Sequence, residues 1–336
     1  MSAACKFDGC TVGETGKCAL ERDPNTCENR SSGLAQALLA RSDAAPATDG
    51  IGAPVLEQPQ GAAQFPSSRT LGPEVVSELM ASRYVSVVGI LGDPESGKTA
   101  CLASLYLLVS NAKLKGWSFS DSKSLMAFED IARGAREWNE GNPPEQMTVH
   151  TEMADDRRPG FLHLRLVRTS DGRRVDLVLP DLPGEWTQAL IKTARTDRFD
   201  FMKSAEAIWV VVDGRALANV EQRQGAIARL GQLAGRLQTH FGGDVPHLIL
   251  VLTHHDVSDI EADVVGRITT ELGKRSITAE IVKVASFSDA KGVKPGFGLD
   301  SLIERTLGAE PALPEFWPKT APRPGARPYL NYRSDR

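Results

Sequence analysis

Long apolar runs are missing from this chain of 336 residues. Its hydrophobic stretches, the longest around Ile208 and Leu248, have strand length and fall short of the ~18 residues a membrane helix needs. A basic region followed by an apolar stretch is also missing at the start, so the sequence predicts no secretory leader and a cytoplasmic protein. Charge of one sign is scarce: 39 Lys and Arg against 43 Asp and Glu leave a net charge of −4. That balance builds no broad positive field for duplex nucleic acid. Repeats of fixed period are not evident. With 41% hydrophobic and 24% charged residues, a wholly disordered or fibrous chain is excluded.

Cysteine is nearly absent after residue 30, where only Cys101 remains, inside an apolar run that predicts a buried packing role. The other four, Cys5, Cys10, Cys18 and Cys27, crowd the beginning with the spacing C-x4-C-x7-C-x8-C. In a reducing compartment such a cluster suits a metal better than disulfides, and four thiolates can close one tetrahedral Zn²⁺ site. No CxxC pair is present, so free or redox-active thiols stay open as the other reading. The expected organisation is a Cys-rich segment at 1–30, an Ala/Pro/Gly/Ser/Gln-rich linker at 31–68 and a nucleotide-binding domain at 69–309. A short helix near Leu34 to Ala40 is expected in the linker. The remainder, 310–336, is a Pro/Arg-rich extended tail with Trp317 and Tyr329 as its docking candidates.

Between these flanks, strand and helix signals alternate. A helical pattern opens at Gly72-Pro73. Strands are expected at Tyr84–Leu91, Phe161–Val167, Val175–Leu179, Ala207–Val212, His247–Leu252 and Ile281–Ala285. Helices are expected at Lys98 to Ala112, Leu217 to Phe241, Ile260 to Leu272 and Leu299 to Leu307. Buried apolar strands alternating with helices imply a mostly parallel sheet covered on both faces, an α/β three-layer sandwich. Phe161–Val167 and Val175–Leu179 are joined by Thr169-Ser170-Asp171-Gly172, a hairpin-like turn, which makes one antiparallel edge strand.

Gly92-Asp93-Pro94-Glu95-Ser96-Gly97-Lys98-Thr99 fits G-x4-G-K-[ST] and sits after a strand and ahead of a helix. Such a P-loop wraps phosphate with backbone N–H groups, and the partial positive charge of the helix start, through Ala100, faces the anion. Lys98 then reaches the β and γ phosphates and the Thr99 hydroxyl ligates Mg²⁺. The strand ending at Leu179 delivers Asp181-Leu182-Pro183-Gly184-Glu185. Asp181 is placed to hold Mg²⁺ through water, and Gly184 to offer its N–H to a γ-phosphate.

This order of motifs resembles the translation-factor-related class of P-loop GTPases, the class that includes Ras, over roughly residues 84 to 309. The resemblance implies a guanine-reading N-K-x-D box after the fifth sheet strand, where this chain has Thr253-His254-His255-Asp256. Asp256 matches. A carboxylate there accepts from both guanine N–H groups, whereas adenine presents an acceptor. Thr253 replaces the Asn with shorter reach, and the His254 ring replaces a lysine stem over the base. The last guanine box carries Ser-Ala-Lys in the family; Ser286-Phe287 stands in its place, with the N–H near Phe287 as the candidate for guanine O6. A first-switch Thr should complete the Mg²⁺ shell, with Thr151 preferred over Thr148. It would lie in a long insert, about Lys113 to Arg158, with a helical stretch around Ser124 to Trp138, of a length that suggests a partner-reading lid.

Glu185 stands where Ras-like enzymes place the water-orienting Gln, so the resemblance predicts slow hydrolysis, at or below ~10⁻² s⁻¹ without a supplied arginine. Arg195 and Arg198 are arginines that could serve in cis, against the plainer reading of solvated helix charge. The Cys cluster, the G-D-P-E-S-G-K-T loop, the Ser-rich FSDSKSLMAFED insert and D-L-P-G-E also resemble bacterial double-GTPase conflict-system proteins. The expectation is a Mg²⁺-dependent GTP/GDP switch with Lys98, Gly184 and Glu185 in catalytic positions and a partner GTPase or effector protein. A non-catalytic nucleotide-binding scaffold and a P-loop ATPase are the other two readings.

Overall fold

The structure, a computed structural model, describes residues 67–136, 147–148 and 159–308, together with Val12, Lys17 and Cys18. The chain divides into two compact units, 1–64 and 65–336. In the first, Val12 is buried and Cys18 is half-buried with a free thiol. Cys5, Cys10, Cys27, the expected helix near Leu34, Thr151, Trp317 and Tyr329 lie outside the described residues.

The second unit opens with α1 (Pro73–Ser82), in which Pro73 stands at a first-turn position where its missing N–H costs nothing. β1 (Val85–Leu91) then leads through the phosphate loop into α2 (Lys98–Ser110). After β2 (Trp117–Asp121), α3 (Leu125–Ile131) and a 3-10 turn at Gly134–Arg136 come β3 (Phe161–Arg168) and β4 (Arg174–Pro180). Next are α4 (Gly184–Thr193), a 3-10 segment at Asp197–Ser204, β5 (Ala205–Asp213), α5 (Gly214–Ala218) and α6 (Val220–His240). β6 (His247–Thr253), α7 (Ala262–Gly273), β7 (Glu280–Lys283) and α8 (Leu299–Gly308) are the last elements among the described residues.

The seven strands form one sheet in the order β2-β3-β4-β1-β5-β6-β7. β4, β1, β5, β6 and β7 run parallel, while β3 is antiparallel to both β4 and β2. Alternation along the strands divides the core between two faces. Val88, Ile90, Trp209, Val211, Ile249 and Val251 meet Leu102, Leu105, Phe128 and Leu302 from α2, α3 and α8. Leu91, Ile208, Val210, Leu250 and Leu252 meet Leu190, Leu230, Leu237 and Ile268 from α4, α6 and α7. The expected three-layer sandwich is therefore the observed one, and the parallel strand ends deliver their loops to one rim.

Three expectations are corrected. β3 is not the edge strand, because β2 pairs along its outer side from Trp117↔Arg168 to Asp121↔Arg165. The start of the expected insert is thus part of the sheet, and up to residue 136 the helical stretch expected around Ser124 to Trp138 is broken into α3 and a 3-10 turn. The single helix expected from Leu217 to Phe241 is two, because the Asn219 side chain accepts hydrogen bonds from the N–H of Glu221 (2.8 Å) and Gln222 (3.4 Å) and starts α6 afresh.

Candidate active site

The phosphate loop leaves β1 at Gly92 and closes into α2 at Gly97. Gly97 occupies the N-cap with φ 96°, a conformation that favours glycine. A Cβ there would also press on the Thr253 side chain at 3.2 Å. Glu95 adopts φ 59° without being glycine, so the loop holds one left-handed turn against its side chain's preference. Among the described residues, no hydrogen bond engages the N–H groups of Glu95, Gly97, Lys98 or Thr99. These donors, at a helix start, form the anion cradle that the motif demands. Lys98 is buried and donates from Nζ to the carbonyls of Gly92 (3.0 Å) and Asp93 (2.9 Å). Burial pushes its pKa down, and the carboxylates of Asp181, Glu185 and Asp93 oppose that.

Across the loop, the Thr99 hydroxyl donates to Asp181 Oδ1 at 3.0 Å. A hydroxyl and a carboxylate side by side, next to the cradle, are the hard oxygen donors that Mg²⁺ takes, so the donor chemistry fits that ion. No cluster of three or more His, Cys, Asp or Glu suited to a metal occurs among the described residues.

α4 is seated directly on the loop. A Cβ at Gly184 would collide with the backbone of Asp93 and Pro94, so only glycine permits this approach. Three residues on, the buried Thr187 hydroxyl accepts from the Gly92 N–H at 3.1 Å. Glu185 is exposed and has no hydrogen bond or ion pair among the described residues. Thr187 had no motif to mark it; only its place one turn beyond Gly184 gives it a signal.

The loop after β6, Thr253-His254-His255-Asp256, where the base loop is expected, is stitched to the phosphate loop by Thr253. Its hydroxyl lies 2.8 Å from the Ser96 carbonyl and 3.1 Å from that of Val212. His254, at φ 55°, brings Nδ1 within 3.0 Å of Thr253 Oγ1 and 3.1 Å of Asp213 Oδ1. The Asp213 carboxylate only accepts, so Nδ1 carries the proton between these oxygens. Asp213 also accepts from Arg215. Burial disfavours its ionised form, yet the bonds from His254 and Arg215 outweigh burial and hold its carboxyl well below the usual carboxylate range. His255 faces elsewhere, 5.2 Å from the Phe297 ring, so the two histidines form no metal pair. Asp256 is half-buried in the turn after β6 and free of hydrogen bonds and ion pairs among the described residues.

The loop after β7 lies beside it. Val284 N–H donates to Leu252 O (2.8 Å), and His255 N–H to Val284 O (3.2 Å). The Ser104 hydroxyl of α2 donates to Ser286 O at 2.7 Å, and Phe287 packs against the core. The Cys101 thiol touches Ser286 Oγ and is pushed up to about 11 by burial, which keeps it an inert core group. Phosphate loop, base loop and Ser286–Phe287 therefore line one rim.

A family model, Double-GTPase 2, matches residues 86–308. The chain belongs to the double-GTPase 2 family. This GTPase is a GTP-binding P-loop protein by that membership. Among solved structures it is similar to the signal recognition particle receptor SRb-GTP/SRX complex from Chaetomium thermophilum. Identity there is 15%, 66% of this chain and 96% of that chain are covered, and the TM-score is 0.35. It is also similar to a variant, G235P, of SsGBP, at 12% identity over 63% of this chain and 52% of that one, with a TM-score of 0.31. No curated protein matches it. No described helix is long and apolar enough to cross a membrane.

In the double-GTPase the stretch where a first-switch Thr is expected is described at Met147 and Thr148, which are half-buried. Ahead of it, a buried network fixes the Ser-rich stretch to the sheet. His163 Nδ1 accepts from Lys123 N–H (3.0 Å), its Nε2 lies 2.9 Å from Asp176 Oδ1, and Ser124 Oγ accepts from His163 N–H at 2.7 Å. Neither switch arginine points at the cradle through a polar contact: Arg195 pairs with Asp197 at 3.5 Å, and the Arg198 guanidinium lies 4.8 Å from the Trp186 ring centroid.

Proposed function

We propose that this double-GTPase is a Mg²⁺-dependent molecular switch that hydrolyses GTP slowly. The observation that carries the reading is the seat of Gly184 on Asp93 and Pro94, because it couples the position of α4 to the occupant of the phosphate loop. Lys98, Gly184 N–H and the loop amides would hold the β and γ phosphates, and Thr99 and Asp181 would hold Mg²⁺, which supplies charge neutralisation on the phosphates when bound. Asp256 would read guanine, with Thr253, His254, Ser286 and Phe287 shaping the base site. Thr151 is the preferred first-switch ligand, in a segment that GTP orders and hydrolysis releases.

The exposed Glu185, which makes no hydrogen bond or ion pair among the described residues, supports a slow intrinsic rate, since a solvated carboxylate repels the γ-phosphate and does not place the attacking water. A partner GTPase or effector, in a bacterial defence or signalling system, would respond to the switch. Cys5, Cys10, Cys18 and Cys27 are proposed to close a Zn²⁺ site that folds the N-terminal segment. One zinc per chain in purified protein, lost in a Cys18→Ser, Cys27→Ser variant, is the expected result; metal-free wild type would end that part.

The test of the switch is hydrogen exchange across α4 with GTP and with GDP, beside turnover assays. GTP is expected to protect 184–193 more than GDP does, and Lys98→Ala to abolish both protection and nucleotide-induced thermal stabilisation. Ligand at 100 times its dissociation constant should add about 2.7 kcal/mol in wild type. Binding without any difference between GTP and GDP would leave a scaffold, not a switch.

A further inference from the structure

The phosphate loop of this protein carries two carboxylates, Asp93 and Glu95, in a segment whose work is to hold an anion. Asp93 is the closer problem. Its backbone carbonyl accepts from Lys98 Nζ, and its carboxylate is among the charges that Lys98 feels. One oxygen, Oδ1, is buried with no hydrogen-bond partner. The other, Oδ2, lies 3.0 Å from Arg229 Nε on α6. Asp93 and Arg229 both line a cavity of about 650 Å³, whose other lining includes Thr187, Ile191 and Lys192 of α4 and Val212 of β5.

We propose that Arg229 sets the affinity of the phosphate loop for a triphosphate by cancelling the charge of Asp93, and so is a positioning residue for nucleotide binding. A triphosphate brings about four negative charges to the loop, and like charges in a partly desolvated site cost more with each added phosphate. An ion pair on the outer side of the loop removes that repulsion without occupying the cradle. The alternative is a mechanical tether, in which the pair matters only because it fixes the loop. The two differ in sign: under charge cancellation, neutralising Asp93 helps a triphosphate and neutralising Arg229 hurts it, whereas a tether is cut equally by either change. This inference rests on the GTP-binding reading.

The test is calorimetric titration of the full-length protein with GTP, GDP and GMP in Arg229→Ala, Arg229→Lys, Asp93→Asn and the Asp93→Asn, Arg229→Ala double variant. Arg229→Ala is expected to weaken GTP about tenfold, GDP less and GMP least, a gradient set by phosphate charge. Arg229→Lys should keep most of the affinity. Asp93→Asn should tighten GTP, and the double variant should return to within about twofold of wild type. Weakening by Asp93→Asn and Arg229→Ala alike, or an equal loss for GMP and GTP, would overturn the proposal. Thermal melting without nucleotide identifies a variant that fails to fold; if Arg229→Ala does, the sign of the Asp93→Asn effect decides alone. No GTP uptake by wild type would sink the GTP-binding reading itself, whereas wild-type binding with a flat response to these substitutions would sink only the role of Arg229.

Discussion

The Thr253 hydroxyl and the Ser96 carbonyl, 2.8 Å apart, join the base loop to the phosphate loop across the end of the sheet. The contact is buried and also holds the loop turn between Asp93 and Gly97. Thr253→Val keeps the shape and removes the donor. It should cost about 1–3 kcal/mol of stability, because a buried carbonyl then has no partner. GTP and GDP affinity should fall together, since both halves of the site lose their common anchor, and Thr253→Ser should rescue both. Melting and titration of the two variants check this; a Thr253→Val protein with wild-type melting and affinity would show the link to be incidental.

Asp256 presents the opposite case. It is half-buried and makes no polar contact among the described residues, so none of them needs its carboxylate. Asp256→Ala should therefore leave nucleotide-free stability unchanged while the preference for GTP over ATP falls about a hundredfold or more, the scale of discrimination from hydrogen bonds to a polar edge. Competition titrations with the two nucleotides measure it. An unaltered ratio would place guanine selection elsewhere on the rim.

How much of this was legible in advance follows from what each residue signals. β1, β5 and β6 are buried on both faces over most of their length, so their largely apolar runs could be read directly. β2 could not, because of its five residues only Trp117 is buried and the strand is carried by backbone pairing with β3. α4 was hidden by Pro183-Gly184, which reads as a turn, although Pro183 in fact caps a helix with buried Trp186, Thr187 and Leu190. At the site, G-x4-G-K-T and D-x-x-G marked residues that the fold does bring together, with the Thr99 hydroxyl on Asp181 and Gly184 seated on the phosphate loop, because a tight loop and a close helix approach demand those types. The Asp93–Arg229 and Asp213–His254 pairs left no trace, since each joins residues far apart in sequence through side chains that many types could replace.

Gly184 tests the coupling between loop and helix. With alanine there, the Cβ would overlap Asp93 and Pro94 backbone, which no side-chain rotation relieves. α4 must then lift, giving up part of the packing of Trp186 and Leu190, at about 1–3 kcal/mol. GDP should still bind, because the cradle amides remain, whereas GTP should lose its extra protection of 184–193 in hydrogen exchange. Full GTP-dependent protection in Gly184→Ala would mean that α4 responds to nucleotide by another route.

Asp213 yields a prediction in pH. Burial opposes its charge, but hydrogen bonds from His254 and Arg215 depress its folded pKa below the unfolded carboxylate value of about 3.9. Folding thus releases protons near that pH, so the contribution is fully present above it and is lost as pH falls through the folded value. Asp213→Asn keeps a side-chain oxygen to accept from Arg215 N–H at the start of α5 and removes the charge together with the acceptor that faces the Arg215 guanidinium. The melting temperature of Asp213→Asn should therefore lie below that of wild type from about pH 5 to 7, with the gap closing below about pH 4. His254→Ala should narrow the same gap by removing one of the bonds that keep the carboxylate ionised. Melting curves at half-unit steps from pH 3 to 7 would read both effects, and a gap that stays constant across the range would show that His254 and Arg215 do not hold Asp213 in its charged form.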